Sequence, residues 1–400
     1  MDFRLTEKEL ALKNEVEAFY KTEMKNAPPG FNGGTELIYA TEERFQFHKY
    51  MARKLGEKGW LSLAWPKEYG GKGATIMEQL VFSEVSGYHN TTGIDVFGIG
   101  MFAPTLLVGA NEEQKQRLLP PIASGEASYC QGWSEPNAGS DLASLTTTAI
   151  KDGDVYVVNG QKTWTTGAHR ADCMFLLART DPNSKRGKGL SVFYLPTNLP
   201  GIEIRPILYM DNQHVFNDVF FKDVRIPARD LIGVEGKGWD LTRQTMNFER
   251  SGIGQLSWIR RSLERMTHYI NTTRRNGKRL STDPIVRRKL AKLLIGAELG
   301  RTLAYRIAWL HQKNDFQNLV PAASASKLYL TELSQKLANY STEIMGPYGQ
   351  LESGERAPLD GYMAELYQYC KGATIFGGTN EVQRNLIAWV GLGLPRLKFK

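Results

Sequence analysis

Three short stretches gather residues whose types and spacing suit a flat ligand with polar edges. In Gln131-Gly132-Trp133-Ser134-Glu135-Pro136-Asn137-Ala138-Gly139-Ser140-Asp141, Ser134 and Ser140 offer hydroxyl donors and Trp133 a flat apolar wall. Gly139 lets a ligand come close to the backbone. In Asn159-Gly160-Gln161-Lys162-Thr163-Trp164-Thr165-Thr166-Gly167, Trp164 could stack beside a planar ring while Thr166 bonds its edge. In Ile375-Phe376-Gly377-Gly378-Thr379-Asn380-Glu381-Val382-Gln383-Arg384, two glycines interrupt an apolar pattern and Thr379 stands where it could cap the next helix. A helix N-terminus also suits a phosphate. Taken singly, the three read more plainly as a strand-to-loop turn, a strand rich in Thr and Trp, and a helix–helix turn.

One carboxylate, Glu249, could serve as a base, although by its own surroundings it reads more plainly as a surface residue. Glu249 falls inside a long helical pattern, Trp239 to Asn271, between Phe248 and the small apolar stretch Gly252-Ile253-Gly254. A partly desolvated carboxylate there would have its pKa raised toward the range of a general base. Its i+4 neighbour is Ile253, so helical pairing supplies no cation. The plainer alternative is a surface glutamate paired with Arg250. Metal chemistry has little to stand on: the six histidines form no HExxH, and the three cysteines, Cys130, Cys173 and Cys370, form no CxxC.

These residues must be held by a substantial fold. The 400 residues suffice for two or three domains, and 42% apolar with 23% charged residues excludes a disordered or collagen-like chain. No apolar run approaches the length that crosses a bilayer. The N-terminus lacks a signal-peptide pattern, so a cytoplasmic location is expected. A net charge of +8 suits an anionic ligand, although it also fits an ordinary surface. Residues 1–125 read as helical, with Thr6 and Glu9 at capping-box spacing. Residues 126–236 carry short apolar runs: 145–150 and 155–158 around an Asp152-Gly153 turn, then 174–178, 190–195, 202–207 and 215–221. Residues 237–400 return to helical periodicity, in patterns over 239–271, 287–313, 322–345 and 363–390, the last broken near Gly377-Gly378. The fold class is α+β, with a β module between helical regions.

In this order and at these separations, the three stretches, together with the early Trp65-Pro66-Lys67-Glu68-Tyr69-Gly70-Gly71 loop, resemble the acyl-CoA dehydrogenase family over nearly the whole chain. The resemblance implies an N-terminal helical domain, a middle antiparallel β domain or barrel and a C-terminal four-helix bundle, holding FAD and an acyl-CoA. It implies flavin contacts from Gln131, Trp133, Ser134, Gly139, Ser140, Trp164, Thr166, Thr379 and Glu381, with Ser140 also near the CoA. In the family a neighbouring subunit adds an Arg from an R-x-x-F-G stretch and a Gln from QxxGG. Here Thr273-Arg274-Arg275-Asn276-Gly277 puts Arg274 one position off, and Glu343 stands where the Gln would be.

Many members carry their catalytic base in Y-E-G-T. This chain has Phe376-Gly377-Gly378-Thr379 there, and glycine cannot act as a base. Isovaleryl- and long-chain-type relatives carry the Glu on a bundle helix within an E-R pair, which Asn247-Phe248-Glu249-Arg250 matches. The resemblance therefore implies that Glu249 takes the α-proton of the thioester while the β-hydride passes to flavin N5, giving a 2-enoyl-CoA. Asn247, Arg250, Phe376, Gly377 and Gly378 match positions on the substrate side. The small residues at 252, 254 and 377 suggest room for a branched, cyclic, aromatic or otherwise bulky acyl group, and the local wording is similar to relatives acting on steroid side chains or ring-bearing acyl groups. An electron-transfer flavoprotein is the implied electron acceptor, and a homotetramer the expected assembly, with an α2β2 heterotetramer as the alternative. Nucleic-acid binding is not expected. Competing readings are an acyl-CoA oxidase, a non-catalytic member binding DNA, and one subunit of a heteromeric dehydrogenase.

Overall fold

The computed structural model describes residues 4–29, 31, 37–245 and 252–396. Helices α1 (Glu7–Glu23), α2 (Glu42–Glu57), α3 (Ile76–Tyr88), α4 (Ala103–Gly109) and α5 (Glu112–Ala123) come first. Thr6 and Glu9 close the capping box at the start of α1, the Thr6 amide donating to Glu9 Oε2 at 2.7 Å. The same device opens α3 (Thr75 with Glu78) and α5 (Asn111 with Gln114). A π-helical turn, Gly98–Phe102, leads into α4.

The β region comprises β1 (Tyr129–Gly132), β2 (Thr148–Asp152), β3 (Val155–Lys162), β4 (Cys173–Arg179), β5 (Leu190–Pro196), β6 (Ile202–Leu208), β7 (His214–Pro227) and β8 (Leu231–Ile232). The sheet order is β6-β7-β3-β2-β4-β5-β8, with β1 added beside β4. Pairing is antiparallel except that β1 and β2 each meet β4 in parallel. β4 is buried along its whole length, which explains its unbroken apolar run. β7 alternates between inward and half-exposed residues, as a strand with one solvated face should. The short strands β1 and β8 were not expected from the apolar runs.

Beyond them come α6 (Gly238–Thr245), α7 (Ile253–Thr272), a small hairpin of β9 (Arg274–Arg275) and β10 (Lys278–Arg279), and then α8 (Pro284–Gln312), α9 (Phe316–Met345), α10 (Tyr362–Ala373) and α11 (Asn380–Leu386). The single long helix read over 239–271 is described as two helices. The second starts after Gly252, whose φ of 70° lies in the left-handed region that glycine tolerates.

Residues fall into two compact units, which cut across the helix–strand–helix order. One combines Met1–Asn32, Thr75–Thr91 and Arg250–Lys400. Its core joins Leu256, Ile259 and Leu263 of α7 to Leu330, Leu333 and Leu337 of α9 and to Met363 and Leu366 of α10. α3 crosses α7 backbone to backbone, since a Cβ on Gly87 would sit 2.4 Å from Gly254 Cα. Buried Glu84 ties this crossing to α8 by accepting from Tyr305 at 3.0 Å, Arg301 at 3.4 Å and Arg260 at 3.5 Å.

The other unit, Gly33–Ala74 and Thr92–Glu249, packs α2, α4, α5 and α6 with the sheet. In it His48 is buried and its Nδ1 accepts the Gly93 amide at 3.0 Å, so the ring must be neutral. Burial depresses its pKa from 6.5 to about 4. Between those values the unfolded chain binds a proton that the folded chain does not, so stability is complete above pH 6.5 and is lost as pH falls toward 4. The full slope from one such histidine is about 1.4 kcal/mol per pH unit. Urea midpoints at pH 7 and pH 5 should therefore diverge less in His48→Asn than in the wild type.

No described helix is long and apolar enough to cross a membrane. Among the described residues no group of three or more His, Cys, Asp or Glu is arranged to hold a metal ion.

Candidate active site

The sheet unit presents the first two stretches. β1 carries Gln131, whose Nε2 lies 3.3 Å from Met101 Sδ. Trp133 follows, buried edge-on against Phe175 with ring centroids 5.2 Å apart. Its Nε1 has no hydrogen-bond partner among the described residues, and neither has the buried Thr165 Oγ1. Such donors are costly to leave unpaired, and a ligand acceptor would satisfy them. Ser134 is half-exposed, Gly139 and Ser140 are exposed, and nothing lies within 4 Å of a Cβ built on Gly139.

Beyond β3, Trp164 adopts φ 56° and is 59% exposed, touching Phe216 edge-on at 5.7 Å. A large aromatic held in the left-handed region and open to solvent is strain of the kind stored at binding sites. Its support is a polar network. The Thr165 amide donates to Asn217 O at 2.9 Å, and Asn217 Nδ2 donates to Thr165 O at 2.9 Å. Asn217 also meets His169 Nδ1 at 3.1 Å and His214 Nε2 at 2.7 Å, and the two imidazoles stack 3.7 Å apart. Burial first, then the His214 ring, lowers His169 to about 4.

Ser140 also lines a groove of about 1120 Å³ in the same unit. The groove carries Lys185, Arg186, Lys188 and Lys237. Its acidic side chains are partly engaged: Asp141 meets Arg186 at 3.3 Å and Glu235 accepts from Tyr156 at 2.9 Å. The loop bearing Lys185, Arg186 and Lys188 is drawn together by Arg179 at the end of β4. Buried Arg179 donates to the carbonyls of Leu145 (3.1 Å), Ala143 (3.1 Å), Ser184 (3.3 Å), Arg186 (2.9 Å) and Lys188 (3.1 Å), and to Ser184 Oγ (2.9 Å).

The helical unit carries the third stretch. Thr379 caps α11, its Oγ1 accepting the Val382 amide at 3.1 Å, as the sequence suggested. Gly377 and Gly378 have φ of 65° and 82°. Nothing lies within 4 Å of a Cβ on Gly377. Phe376 is exposed and leans on Tyr369, and exposed Glu381 reaches Arg384 at 3.7 Å. The turn is fastened from α9 by Lys327, whose Nζ donates to Gly378 O at 2.8 Å and Asn380 Oδ1 at 3.0 Å. Burial lowers Lys327 to about 8 against the opposing pull of Glu381.

On the same unit, exposed Arg274 donates to Gly277 O at 2.8 Å, closing the β9–β10 turn. Arg275 instead holds Ile344 O at 2.5 Å. Glu343 is ion-paired with Lys289, so it does not stand as an isolated negative charge. Asn247, Glu249 and Arg250 lie outside the described residues.

Sequence reasoning passed over Lys162, Arg179 and Lys327. The signals were present in part. Lys162 shares the inward parity of Tyr156 and Val158 on β3. Lys327 lies four residues from both Ala323 and Thr331 on the buried face of α9.

The unpaired Trp133 and Thr165 donors and the strained, open Trp164 fit a planar aromatic cofactor with polar edges, as FAD is. Comparison with known proteins agrees. The chain matches the N-terminal domain of acyl-CoA dehydrogenase over residues 6–126, its middle domain over 130–224 and its C-terminal domain over 236–392. It is 36% identical to acyl-CoA dehydrogenase FadE26 of Mycobacterium tuberculosis across 86% of this chain and 87% of that one. Among solved structures it resembles the ChsE4-ChsE5 complex from Mycobacterium tuberculosis (32% identity, TM-score 0.85, 99% of this chain and 100% of that one). It also resembles a protein described as the Tcur3481-Tcur3483 steroid ACAD (32% identity, TM-score 0.87, 99% and 100%). The chain therefore belongs to the acyl-CoA dehydrogenase family of FAD-dependent oxidoreductases.

Proposed function

We propose that the protein dehydrogenates a bulky acyl-CoA, branched or ring-bearing, between Cα and Cβ, with Glu249 as the base that removes the α-proton. The observation that carries this reading is the Gly377–Gly378 turn. Where many relatives place a catalytic glutamate, this chain has a glycine with open space around its Cβ position. The base must then come from elsewhere, and the E-R pair at Glu249-Arg250 is the sequence's candidate. The steroid in the description of one structural relative accords with a large acyl group. Lys185, Arg186, Lys188 and Lys237 would hold the phosphorylated end of the CoA in the groove beside Ser140. Trp133, Ser134, Trp164, Thr166 and Thr379 would hold the flavin, with Gln131, Gly139, Ser140 and Glu381 at its margin. Arg274 and Glu343 are the proposed contacts to a neighbouring subunit's FAD. Asn247, Arg250 and Phe376 would line the substrate side. When bound, FAD supplies the acceptor for the β-hydride. An electron-transfer flavoprotein is the proposed electron acceptor.

A panel of CoA thioesters tests the substrate class. Ring-bearing or α-branched thioesters should give kcat/KM at least about tenfold above straight medium chains, a difference of roughly 1.4 kcal/mol in transition-state binding. Preference for straight medium chains would sink the proposal.

A second reading is a subunit of a heteromeric dehydrogenase. It is favoured by Glu343, tied to Lys289, and by Arg275, tied to Ile344 O, both in the region where relatives grip a neighbour's FAD. The ChsE4-ChsE5 relative is itself a two-component complex. Light scattering and flavin content of the chain purified alone distinguish the two readings: a flavin-loaded tetramer supports the homomeric form, and a flavin-free smaller species the heteromeric one.

A further inference from the structure

Lys162 is 0% exposed, an unusual place for an ammonium. It donates to Trp133 O at 3.0 Å and to Glu135 Oε1 at 2.8 Å. Glu135, also buried, accepts the Thr147 amide at 2.8 Å, the Thr146 amide at 2.7 Å and Thr146 Oγ1 at 2.9 Å. The next residue, Thr163, donates its amide to Ser134 O at 2.9 Å. One buried ion pair and one backbone bond thus join two loops, the one bearing Trp133 and Ser134 and the one bearing Trp164 and Thr166.

Burial opposes both charges. It lowers Lys162 to about 8 despite the pull of Glu135. It would raise Glu135, but the Lys162 charge and the surrounding donors outweigh it and hold that carboxyl at about 2. Both groups are therefore charged at neutral pH. A buried ion pair is weak evidence for stability, since an apolar pair of similar volume often packs as well or better. An apolar pair could not bond the Trp133 carbonyl. That bond fixes the peptide plane between Trp133 and Ser134, and in a trans peptide the Ser134 N–H must then point away from Lys162.

We propose that Lys162 is a positioning residue for the flavin: with Glu135 it locks the Trp133–Ser134 loop onto the end of β3, so that the cofactor-facing groups of the two loops are held in one fixed arrangement. The inference rests on the FAD-dependent reading above. It concerns residues that do not themselves touch the reacting atoms.

The test compares wild type, Lys162→Met and the double variant Glu135→Gln/Lys162→Met. The single variant leaves a buried unpaired carboxylate and should lose stability for that reason alone. The double variant removes both charges and isolates positioning. FAD affinity of each apoprotein is read by quenching of flavin fluorescence, and the visible band of the loaded protein gives a spectroscopic check. The double variant should fold, bind FAD about ten- to a hundredfold more weakly and show an altered flavin band, with the KM for thioester little changed. A folded double variant with FAD affinity within about twofold of wild type and an unaltered band would overturn the proposal. So would failure of the double variant to fold, because the pair would then be a folding element. Failure of the wild-type apoprotein to take up FAD would instead overturn the cofactor reading, and the proposal with it.

Discussion

Glu249→Gln is expected to lower turnover of the preferred thioester by about 10²- to 10⁴-fold while leaving thioester binding nearly intact. The amide keeps the volume and much of the hydrogen bonding of the carboxylate but cannot take a proton. The substitution therefore removes an interaction needed in the transition state and not in the ground state, so kcat and kcat/KM should fall together. No carboxylate at position 377 can substitute, since Gly377 stands there. Substrate Kd, measured on the oxidised variant by equilibrium binding, is the control. A variant that binds thioester normally and retains more than about a tenth of wild-type turnover would place the base elsewhere.

The second large effect falls on the other end of the substrate. Arg179→Lys is expected to raise the KM for CoA thioesters by about tenfold or more, with kcat little changed. Arg179 gathers five carbonyls and one hydroxyl from the 143–145 and 184–188 segments, using the fork of a guanidinium. A lysine keeps the charge but presents one compact head, which cannot reach acceptors spread over that arc. Several carbonyls would then be left unpaired, at about 1–3 kcal/mol each where they stay buried. The loop bearing Lys185, Arg186 and Lys188 would lose its fixed shape, and with it the proposed hold on the CoA phosphates. The discriminating substrate is the matching N-acetylcysteamine thioester, which lacks the nucleotide. Its kinetics should be nearly the same in variant and wild type, whereas an equal loss on both substrates would mean that Arg179 supports the fold and not the groove.

Local features were legible in the sequence. The Thr6–Glu9 capping box and the Thr379 cap each depend on residues three apart, and both are present. The runs at 174–178 and 190–195 lie within β4 and β5, because strands of a buried sheet need continuous apolar residues. Features that depend on distant partners were not legible. β1 is only Tyr129–Gly132 and earns its place by parallel pairing with β4, more than forty residues along the chain. The break before α7 was hidden because Gly252 fits a helical pattern as readily as it fits the φ of 70° it adopts. Arg179 looked like the polar end of an apolar strand, yet its acceptors include Ala143, 36 residues earlier. The residues proposed to face the flavin were named from their order along the chain, while the Lys162 contacts to Trp133 and Glu135 appear only when β3 is folded against the Trp133 loop.

On the proposed function, this chain oxidises an acyl-CoA at its flavin with Glu249 as the base. Anaerobic titration of the purified protein with a panel of CoA thioesters, following the visible flavin band, tests it most directly. The prediction is that a bulky thioester bleaches the band in the wild type, and that the same thioester leaves the band of Glu249→Gln unbleached on the same timescale while still binding. Equal bleaching of both proteins, or a flavin-loaded wild type that no thioester in the panel reduces, would contradict it.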